Sequence, residues 1–440
     1  MQFGTDGIRG VALSELTTQL ATRLGRAAAR VLGADGTSTV VVGGDTREST
    51  GELDAALSQG FAAEGLEVIR LGVAPTPQVA FEAQRRGALG AVVSASHNPY
   101  TDNGIKLFAR GGVKLADDVE RRIEAEMQRS MQHTDAATLG RIVDASADHG
   151  AYVDHVVGVL DGLRLDGMRI VLDAANGAGY NIGPEVLRAA GAEVIVIAAA
   201  PDGRNINDGC GATAPSEMAR AVVEHGADAG IALDGDADRL IAADHAGRVI
   251  DGDHIIAIVA DDMRSRGALR HDTVVVTVMT NLGFRLAMRD RGISVVETAV
   301  GDRYVLGAMA AGGYSLGGEQ SGHVIFADHA TTGDGVLTAV ALLGAAKRDG
   351  RPLQRIASES MTALPQVLLN VGVAHRLPDV ATLLAAEIAA AETELGATGR
   401  VLVRPSGTEP LVRVMVEAPT SDIAERVART LADAAGVLTV

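Results

Sequence analysis

The chain has 440 residues and a formal net charge of −17. It is too long for one ordinary core, and too acidic for nucleic acid or an anionic membrane to partner its surface as a whole. Hydrophobic residues make up 47% and aromatics only 2%, with no Trp, so a globular core must be built from Ala, Val, Leu and Ile. The single cysteine, Cys210, leaves no intrachain disulfide, reads as a structural thiol in a Gly-rich loop and suits a reducing cytosol. The first residues, Met1–Asp6, show no basic and apolar leader, and no apolar run is long enough to cross a bilayer. A cytoplasmic protein is expected.

Short β-branched runs then alternate with Ala-rich helical stretches, the pattern of parallel βαβ units. The first unit has strands near Thr39–Val42, Val68–Leu71 and Leu89–Val93, with helices near Gly51–Glu64 and Pro77–Arg86. Its last strand runs into Ser94-Ala95-Ser96-His97-Asn98-Pro99. The second unit has strands Arg169–Leu172, Glu193–Ile197 and Ala229–Leu233, with helices near Pro184–Ala190 and Pro215–His225. Its last strand enters Asp234-Gly235-Asp236-Ala237-Asp238-Arg239. The third has strands Thr273–Val278, Ser294–Thr298 and one near Tyr314–Leu316, with helices Leu282–Arg291 and Arg303–Ala310. It ends in Gly317-Gly318-Glu319-Gln320-Ser321-Gly322-His323. After about Ala363 the pattern changes to strand Gln366–Asn370, a long helix Pro378–Leu395, strands Gly399–Arg404 and Leu411–Glu417, and a last helix Ser421–Ala435, a small α+β domain. Ligands of open α/β sheets sit at the carboxyl ends of strands, so three units ending in such motifs are expected to face one cleft.

Each motif suggests a chemistry. Asp234, Asp236 and Asp238 would repel one another without a cation between them, and oxygen-only ligands favour Mg²⁺ over Zn²⁺; a solvated acidic turn is the competing reading. Ser96 has the composition of either a turn serine or a phosphoryl carrier, with Ser94 as its rival. His97 and Lys106 can both meet phosphate. Between the last two strands, Arg404-Pro405-Ser406-Gly407-Thr408-Glu409-Pro410, with Arg413 beyond, offers N–H groups, hydroxyls and guanidinium forks for an anion. It is not a Walker loop, because no Lys follows the second Gly. Glu319, Ser321 and His323 suit sugar hydroxyls and proton transfer. Arg9, in Thr5-Asp6-Gly7-Ile8-Arg9-Gly10, is a further phosphate partner.

These five motifs, in this order and over the whole chain, resemble the α-D-phosphohexomutase family. The resemblance implies three similar α/β domains with mixed sheets plus a C-terminal α+β domain around a central cleft, here with boundaries at residues 1–155, 156–252, 253–364 and 365–440. It implies Ser96 as a phosphoserine, with one Mg²⁺ held by Ser96, Asp234, Asp236 and Asp238. It implies Arg9, His97 and Lys106 as catalytic residues, and His323 as acid/base. Sugar-phosphate contacts would come from Arg239, Glu319, Ser321, Arg404, Ser406, Gly407, Thr408 and Arg413. Gly301-Asp302-Arg303 resembles a further loop of the family near the cleft. Gln320 resembles the slot of family members acting on glucosamine phosphates, where phosphomannomutase-like members usually carry Met. The implied reaction interconverts glucosamine 6-phosphate and glucosamine 1-phosphate through a bisphosphate, feeding UDP-N-acetylglucosamine and cell-wall precursors, with a hexose 1,6-bisphosphate as activator and a kinase or bisphosphate donor to prime Ser96. A homodimer is compatible with it. A glucose or mannose phosphate mutase of the same family and an aspartyl-nucleophile sugar phosphatase using Asp234 are the alternatives. A catalytically silent sugar-phosphate binder is a third.

Overall fold

The structure, a computed structural model, describes residues 3–4, 6–129, 138–375, 377–405 and 410–438. The β-branched runs form the strands expected of them, several to the residue: Leu89–Val93, Glu193–Ile197, Ala229–Leu233, Ser294–Thr298 and Leu411–Glu417. Leu89–Val93 and Ala229–Leu233 are apolar and buried on both faces, as interior strands of helix-covered sheets are, whereas Glu193–Ile197 and Ser294–Thr298 lie at sheet edges.

The first three sheets share one plan. In the first, strand Thr39–Gly44 pairs in parallel with Glu67–Val73 on one side and Leu89–Val93 on the other. In the second, Arg169–Asp173 lies between Glu193–Ile197 and Ala229–Leu233. In the third, Thr273–Thr277 lies between Ser294–Thr298 and Leu316–Gly318. Each sheet then adds an antiparallel return strand beside the last parallel one: Asp102–Ala109, Leu240–Asp244 and Val324–Phe326. The three motifs are the connections between those last two strands, so each is a hairpin loop and not a crossover. The first sheet is extended by Ile8–Val11 at one edge, by Ile142–Asp144 at the other, and by Val113–Lys114 beside the return strand. The second adds Val249–Ile250.

Small residues let the elements pack closely. Helix Thr18–Leu32 starts at Thr17, whose Oγ1 accepts from the Leu20 N–H at 3.2 Å. Its buried face, Ala21, Leu24, Gly25, Ala27 and Ala28, lies on helix Thr50–Ala63. A Cβ at Gly25 would sit 2.4 Å from the Leu57 carbonyl oxygen, and one at Gly60 would sit 2.4 Å from that of Thr22. The two helices therefore cross backbone to backbone, which is how a chain nearly free of aromatics reaches interior density.

The chain divides into two compact units: Met1–Val278 with Ile293–Ser358, and Met279–Gly292 with Glu359–Val440. The second holds an antiparallel sheet in the order Gln366–Gly372, Leu411–Glu417, Arg400–Pro405, covered by helix Ser421–Val437. Helix Leu282–Asp290, read above as part of the third repeat, belongs to this unit. The Leu282 N–H donates to the buried Glu417 carboxylate at 2.8 Å, and Asn281 exchanges hydrogen bonds with the backbone of Leu364 at 3.0 and 2.9 Å. The single helix expected over Pro378–Leu395 is two, Val380–Leu383 and Ala385–Leu395. They break at Leu384, whose backbone leaves the helical region (φ −103°, ψ 20°) where both Val380 and Leu384 bury into the core. The strand expected near Tyr314–Leu316 lies at Leu316–Gly318, because Gly317 and Gly318 join the ladder with Val275 and Val276. Among the described residues, no helix is long and apolar enough to cross a membrane.

Candidate active site

In the first unit the three hairpin loops converge on a cavity of about 510 Å³. Arg9, His97, Asp238, Arg239, Gly301, Asp302, Glu319 and His323 are among the residues lining it. Of the sequence-derived candidates, Ser96, Asp234, Asp236 and Lys106 lie buried at the same centre. Ser321 is exposed and is not among the lining residues.

Ser96 is 1% exposed, and its Oγ donates to Asp234 Oδ2 at 2.6 Å. Its φ of +52° is left-handed, a conformation costing a non-glycine residue about 1–3 kcal/mol. The rival Ser94 is fully buried and structural: its hydroxyl donates to Asp45 Oδ2 at 2.6 Å and accepts the Ser96 N–H at 2.9 Å. Gly235 sits where no Cβ fits, since one would lie 2.4 Å from the Ser96 carbonyl oxygen.

Asp234, Asp236 and Asp238 are buried, each with a carboxylate oxygen within 4.8 Å of the others. Oδ1 of Asp236 and of Asp238 have no hydrogen-bond donor, which is costly for a buried carboxylate. Burial, and then the charges of Asp238 and Asp236, push the Asp234 carboxyl up to about 8. Burial would raise Asp238 as well, but Lys106 and His323 beside it hold it well below the usual range. Crowded, desolvated, partly orphaned oxygens of hard type fit a divalent cation such as Mg²⁺.

Lys106 Nζ bridges Asp236 at 2.9 Å, Asp238 at 3.2 Å and Asp6 at 2.9 Å. Burial alone would lower it, but these three carboxylates hold it protonated, well above its ordinary value. Thr76 Oγ1 donates to Asp236 Oδ2 at 2.6 Å. Arg9 pairs with Asp6 at 2.6 Å, and Arg239 Nη1 lies 3.2 Å from His97 Nδ1. The Nε–H groups of Arg9 and Arg239 are buried without an acceptor, so the cavity wall holds donors as well as acceptors in want of a partner. Burial, then Arg239 and Arg9, push His97 down to about 4. It is therefore a neutral imidazole at neutral pH, with Nδ1 3.5 Å from Ser96 Oγ.

Burial would lower His323, but Asp238 outweighs it and pulls the ring up to about 9. The geometry asks for something different. His323 Nδ1 lies 3.6 Å from Asp238 Oδ1, and Nε2 faces the Gly333 N–H at 3.2 Å. That N–H calls for a lone pair on Nε2, so a neutral ring with its proton on Nδ1 fits the contacts better; a cation sharing Asp238 would weaken the pull that raises the ring. Glu319 accepts from the Gly301 N–H at 3.0 Å. Asp302, from the Gly301-Asp302-Arg303 loop, pairs with Lys114 of the first repeat at 2.6 Å, and Arg303 pairs with Asp117 and Glu120.

In the second unit, Arg404 and Arg413 stand directly opposite each other on adjacent strands. Burial and then Arg413 lower Arg404 from its ordinary value, and Arg413 Nε is buried without a partner. Like charges facing across a ladder destabilise it unless an anion intervenes. Ser406, Gly407 and Thr408 lie outside the described residues. Cys210 is buried, and its thiol is pushed up to about 12 by burial and then Asp173, as befits an inert structural thiol.

The sequence reading missed Asp6, Thr76, Asp45, Arg47 and Asn207. The signal for Asp45 and Arg47 was present: Gly43-Gly44-Asp45-Thr46-Arg47 follows a buried strand as the other motifs do.

A buried serine on a carboxylate cluster, beside a cavity lined by Arg9 and Arg239 as well as by carboxylates, has the chemistry that phosphoryl transfer calls for. The sequence matches the family models for phosphoglucomutase/phosphomannomutase: alpha/beta/alpha domain I over residues 1–134, domain II over 150–247, domain III over 251–364, and the C-terminal domain over 368–434. The chain belongs to the phosphoglucomutase/phosphomannomutase family. It is 55% identical over 450 residues to the phosphoglucosamine mutase of Streptomyces avermitilis, covering 98% of each chain. It is 54% identical over 437 residues to that of Thermobifida fusca, covering 98% of this chain and 97% of the relative. Its fold is similar to that of a phosphoglucomutase/phosphomannomutase family protein from Burkholderia thailandensis, with TM-score 0.83, 24% identity, and 98% of this chain and 97% of that one covered. It is also similar to the Aspergillus fumigatus N-acetylphosphoglucosamine mutase solved with GlcNAc-6P and magnesium, with TM-score 0.72, 18% identity, and 100% and 96% covered.

Proposed function

We propose that this chain interconverts glucosamine 6-phosphate and glucosamine 1-phosphate by way of a phosphorylated Ser96. The observation that carries the reading is Ser96 itself: a strained, buried hydroxyl 2.6 Å from Asp234, next to His97 in a cavity that Arg9 and Arg239 also line. The near-identical length and high identity of the phosphoglucosamine mutases it resembles support the choice of sugar, as does Gln320 in the sugar loop. A role in supplying amino-sugar precursors of the cell wall follows from that substrate.

Ser96, Asp234, Asp236 and Asp238 would hold one Mg²⁺. That ion supplies charge neutralisation for the phosphoryl group when bound. Phosphoserine 96 gives its phosphoryl to the free hydroxyl of the sugar phosphate: the P–O bond to Ser96 breaks and one to the sugar oxygen forms, the hydroxyl proton passing to His323 and the freed Ser96 Oγ taking up a proton in exchange. The bisphosphate turns over, and Ser96 Oγ takes the phosphoryl from the other position. Arg9, Lys106 and Arg239 present positive charge and donors along the transfer path, where phosphoryl-transfer catalysis mostly resides. Neutral His97 flanks Ser96 without adding charge. Glu319 and Ser321 bind sugar hydroxyls. His323 is the acid/base of the wall, and to serve it must release the Gly333 N–H from Nε2. Arg404 and Arg413, with Ser406, Gly407 and Thr408, hold the phosphate that is not transferred. A hexose 1,6-bisphosphate or a kinase primes Ser96, and the enzyme works in the cytoplasm. We take the domains as residues 1–155, 156–252, 253–364 and 365–440.

The test is Ser96→Ala. Turnover of glucosamine 6-phosphate, followed with a coupled assay, is expected to disappear together with the phosphoprotein mass. Full activity in that variant would sink the mechanism, and label recovered on Asp234 would favour the phosphatase alternative. Comparing specificity constants for glucosamine, glucose and mannose phosphates tests the choice of sugar.

A further inference from the structure

The backbone of Ser96 is gripped from below by side chains that do not line the cavity. Its N–H donates to Ser94 Oγ at 2.9 Å. Its carbonyl oxygen accepts from Arg47 Nη2 at 3.2 Å and from Asn207 Nδ2 at 2.9 Å. The same two donors reach the carbonyl of Asn98, Asn207 at 3.2 Å. Ser94 Oγ and Arg47 both end on Asp45, whose side chain, like that of Arg47, is fully buried. Asp45 also accepts from Thr50 Oγ1 at 2.9 Å, which Asn103 Nδ2 contacts in turn at 3.2 Å.

The peptide groups on either side of the Ser96 Cα are thus both pinned by side chains. Rotation about the two bonds between them is what φ and ψ measure, so the grip fixes the left-handed value of +52°. A left-handed serine persists only when its surroundings over-determine it. Asn207 comes from the second repeat and Arg47 from the first, so the grip also fixes Ser96 relative to the loop that carries Asp234. We propose that Asp45, Arg47, Ser94 and Asn207 are positioning residues, a seat that aims Ser96 Oγ at the carboxylate cluster and sets the rate of phosphoryl transfer without touching the sugar. This rests on the reading of Ser96 as the phosphoryl carrier.

The experiment prepares Asn207→Ala, Ser94→Ala and Arg47→Lys in the full chain, each in the phosphorylated form. Single-turnover phosphoryl transfer to glucosamine 6-phosphate is then timed by loss of the phosphoprotein mass. Amplitude counts competent molecules, and the rate constant reports positioning in those molecules alone. The seat predicts a rate constant lowered about 10- to 100-fold, with the sugar concentration giving half-maximal rate changed by less than about twofold. Asn207 is only half-buried, so its variant keeps the test alive if the buried Arg47→Lys does not fold. Reduced amplitude at an unchanged rate constant in Asn207→Ala and Ser94→Ala would overturn the proposal, since that is the mark of a merely structural role. Ser96→Ala run alongside separates the two ideas. If it is dead while the seat variants transfer at the normal rate, only the seat fails. If it is active, both fail.

Discussion

In one unit, Asp234, Asp236 and Asp238 crowd three carboxylates into a buried space. In the other, Arg404 and Arg413 face each other across a ladder. Both are like-charge clusters, and both leave polar atoms without partners: Oδ1 of Asp236 and Asp238 in the first, Nε of Arg413 in the second. They differ in depth and in internal relief. The carboxylates have Lys106 locked among them, whereas the arginines share a half-buried surface with no carboxylate between them among their described contacts. The difference teaches that the acidic centre is partly balanced before any ligand arrives, while the basic pair waits on the ligand for its balance. Under the proposed function, the first would belong to the chemistry and the second to capture.

The comparison breaks most visibly at the acidic centre. Chelation of divalent cations is expected to stop turnover, with Mg²⁺ restoring it. Asp236→Asn is expected to lower kcat by roughly 10²- to 10³-fold, with little change in the affinity of the Ser96→Ala background for glucosamine 6-phosphate by calorimetry. An affinity loss as large as the rate loss would erase the division of labour.

At the basic pair the signs reverse. Arg413→Gln is expected to raise KM by roughly 10- to 100-fold, the worth of a charge-assisted phosphate contact, and to leave kcat nearly unchanged. Without ligand the same variant is expected to be slightly more stable, by about 0.2–1 kcal/mol, because it removes a repulsion. A lower melting temperature in phosphate-free buffer would mean the two arginines are not in conflict.

The smallest effect isolates burial from crowding. Asp334 is a buried carboxylate outside both clusters, accepting from the Tyr152 hydroxyl at 2.8 Å and capping helix Gly335–Asp349. Burial pushes it up to about 6. Because its folded value exceeds its unfolded one, folding favours its protonated form, and the group costs stability as pH rises from about 4 to 6 and beyond. Asp334→Asn is expected to match the parent near pH 4 and to be more stable above pH 6 by about 1–2 kcal/mol. A melting difference that does not change between pH 4 and pH 7 would remove burial as the cause.

The sequence made the parallel strands legible because β-branched runs such as Thr273–Thr277 carry their burial in their composition. It hid the return strands. Asp102-Asn103-Gly104 has the chemistry of a turn, and it becomes a strand only through pairing with Arg9–Val11, ahead of the residues Ile105–Phe108 that pair with Leu89–Val93. Gly317 and Gly318 were hidden for the same reason, since glycine is disfavoured in strands until tertiary packing demands it. The helices Thr18–Leu32 and Gly252–Ser265 carried readable N-caps at Thr17 and Asp251 that went unread. At the site, Arg9, His97, Asp238, Arg239, Glu319 and His323, which line the cavity, were readable from the unusual composition of their motifs. Those that hold them, Asp45, Arg47 and Asn207, are distant in sequence from what they hold, and only the fold brings them together.

The hairpin placement of the three motifs reaches beyond catalysis. A loop whose two ends are neighbouring, hydrogen-bonded strands starts and finishes about 5 Å apart whatever its contents, and lengthening it costs little closure entropy. Residues 94–101, 234–239 and 319–323 are therefore loops whose length is free on one thrice-repeated frame. The frame leaves their lengths free but not their contents, since Ser96 meets Asp234, His97 meets Arg239 and His323 meets Asp238, so a change in one loop must be matched in its neighbour.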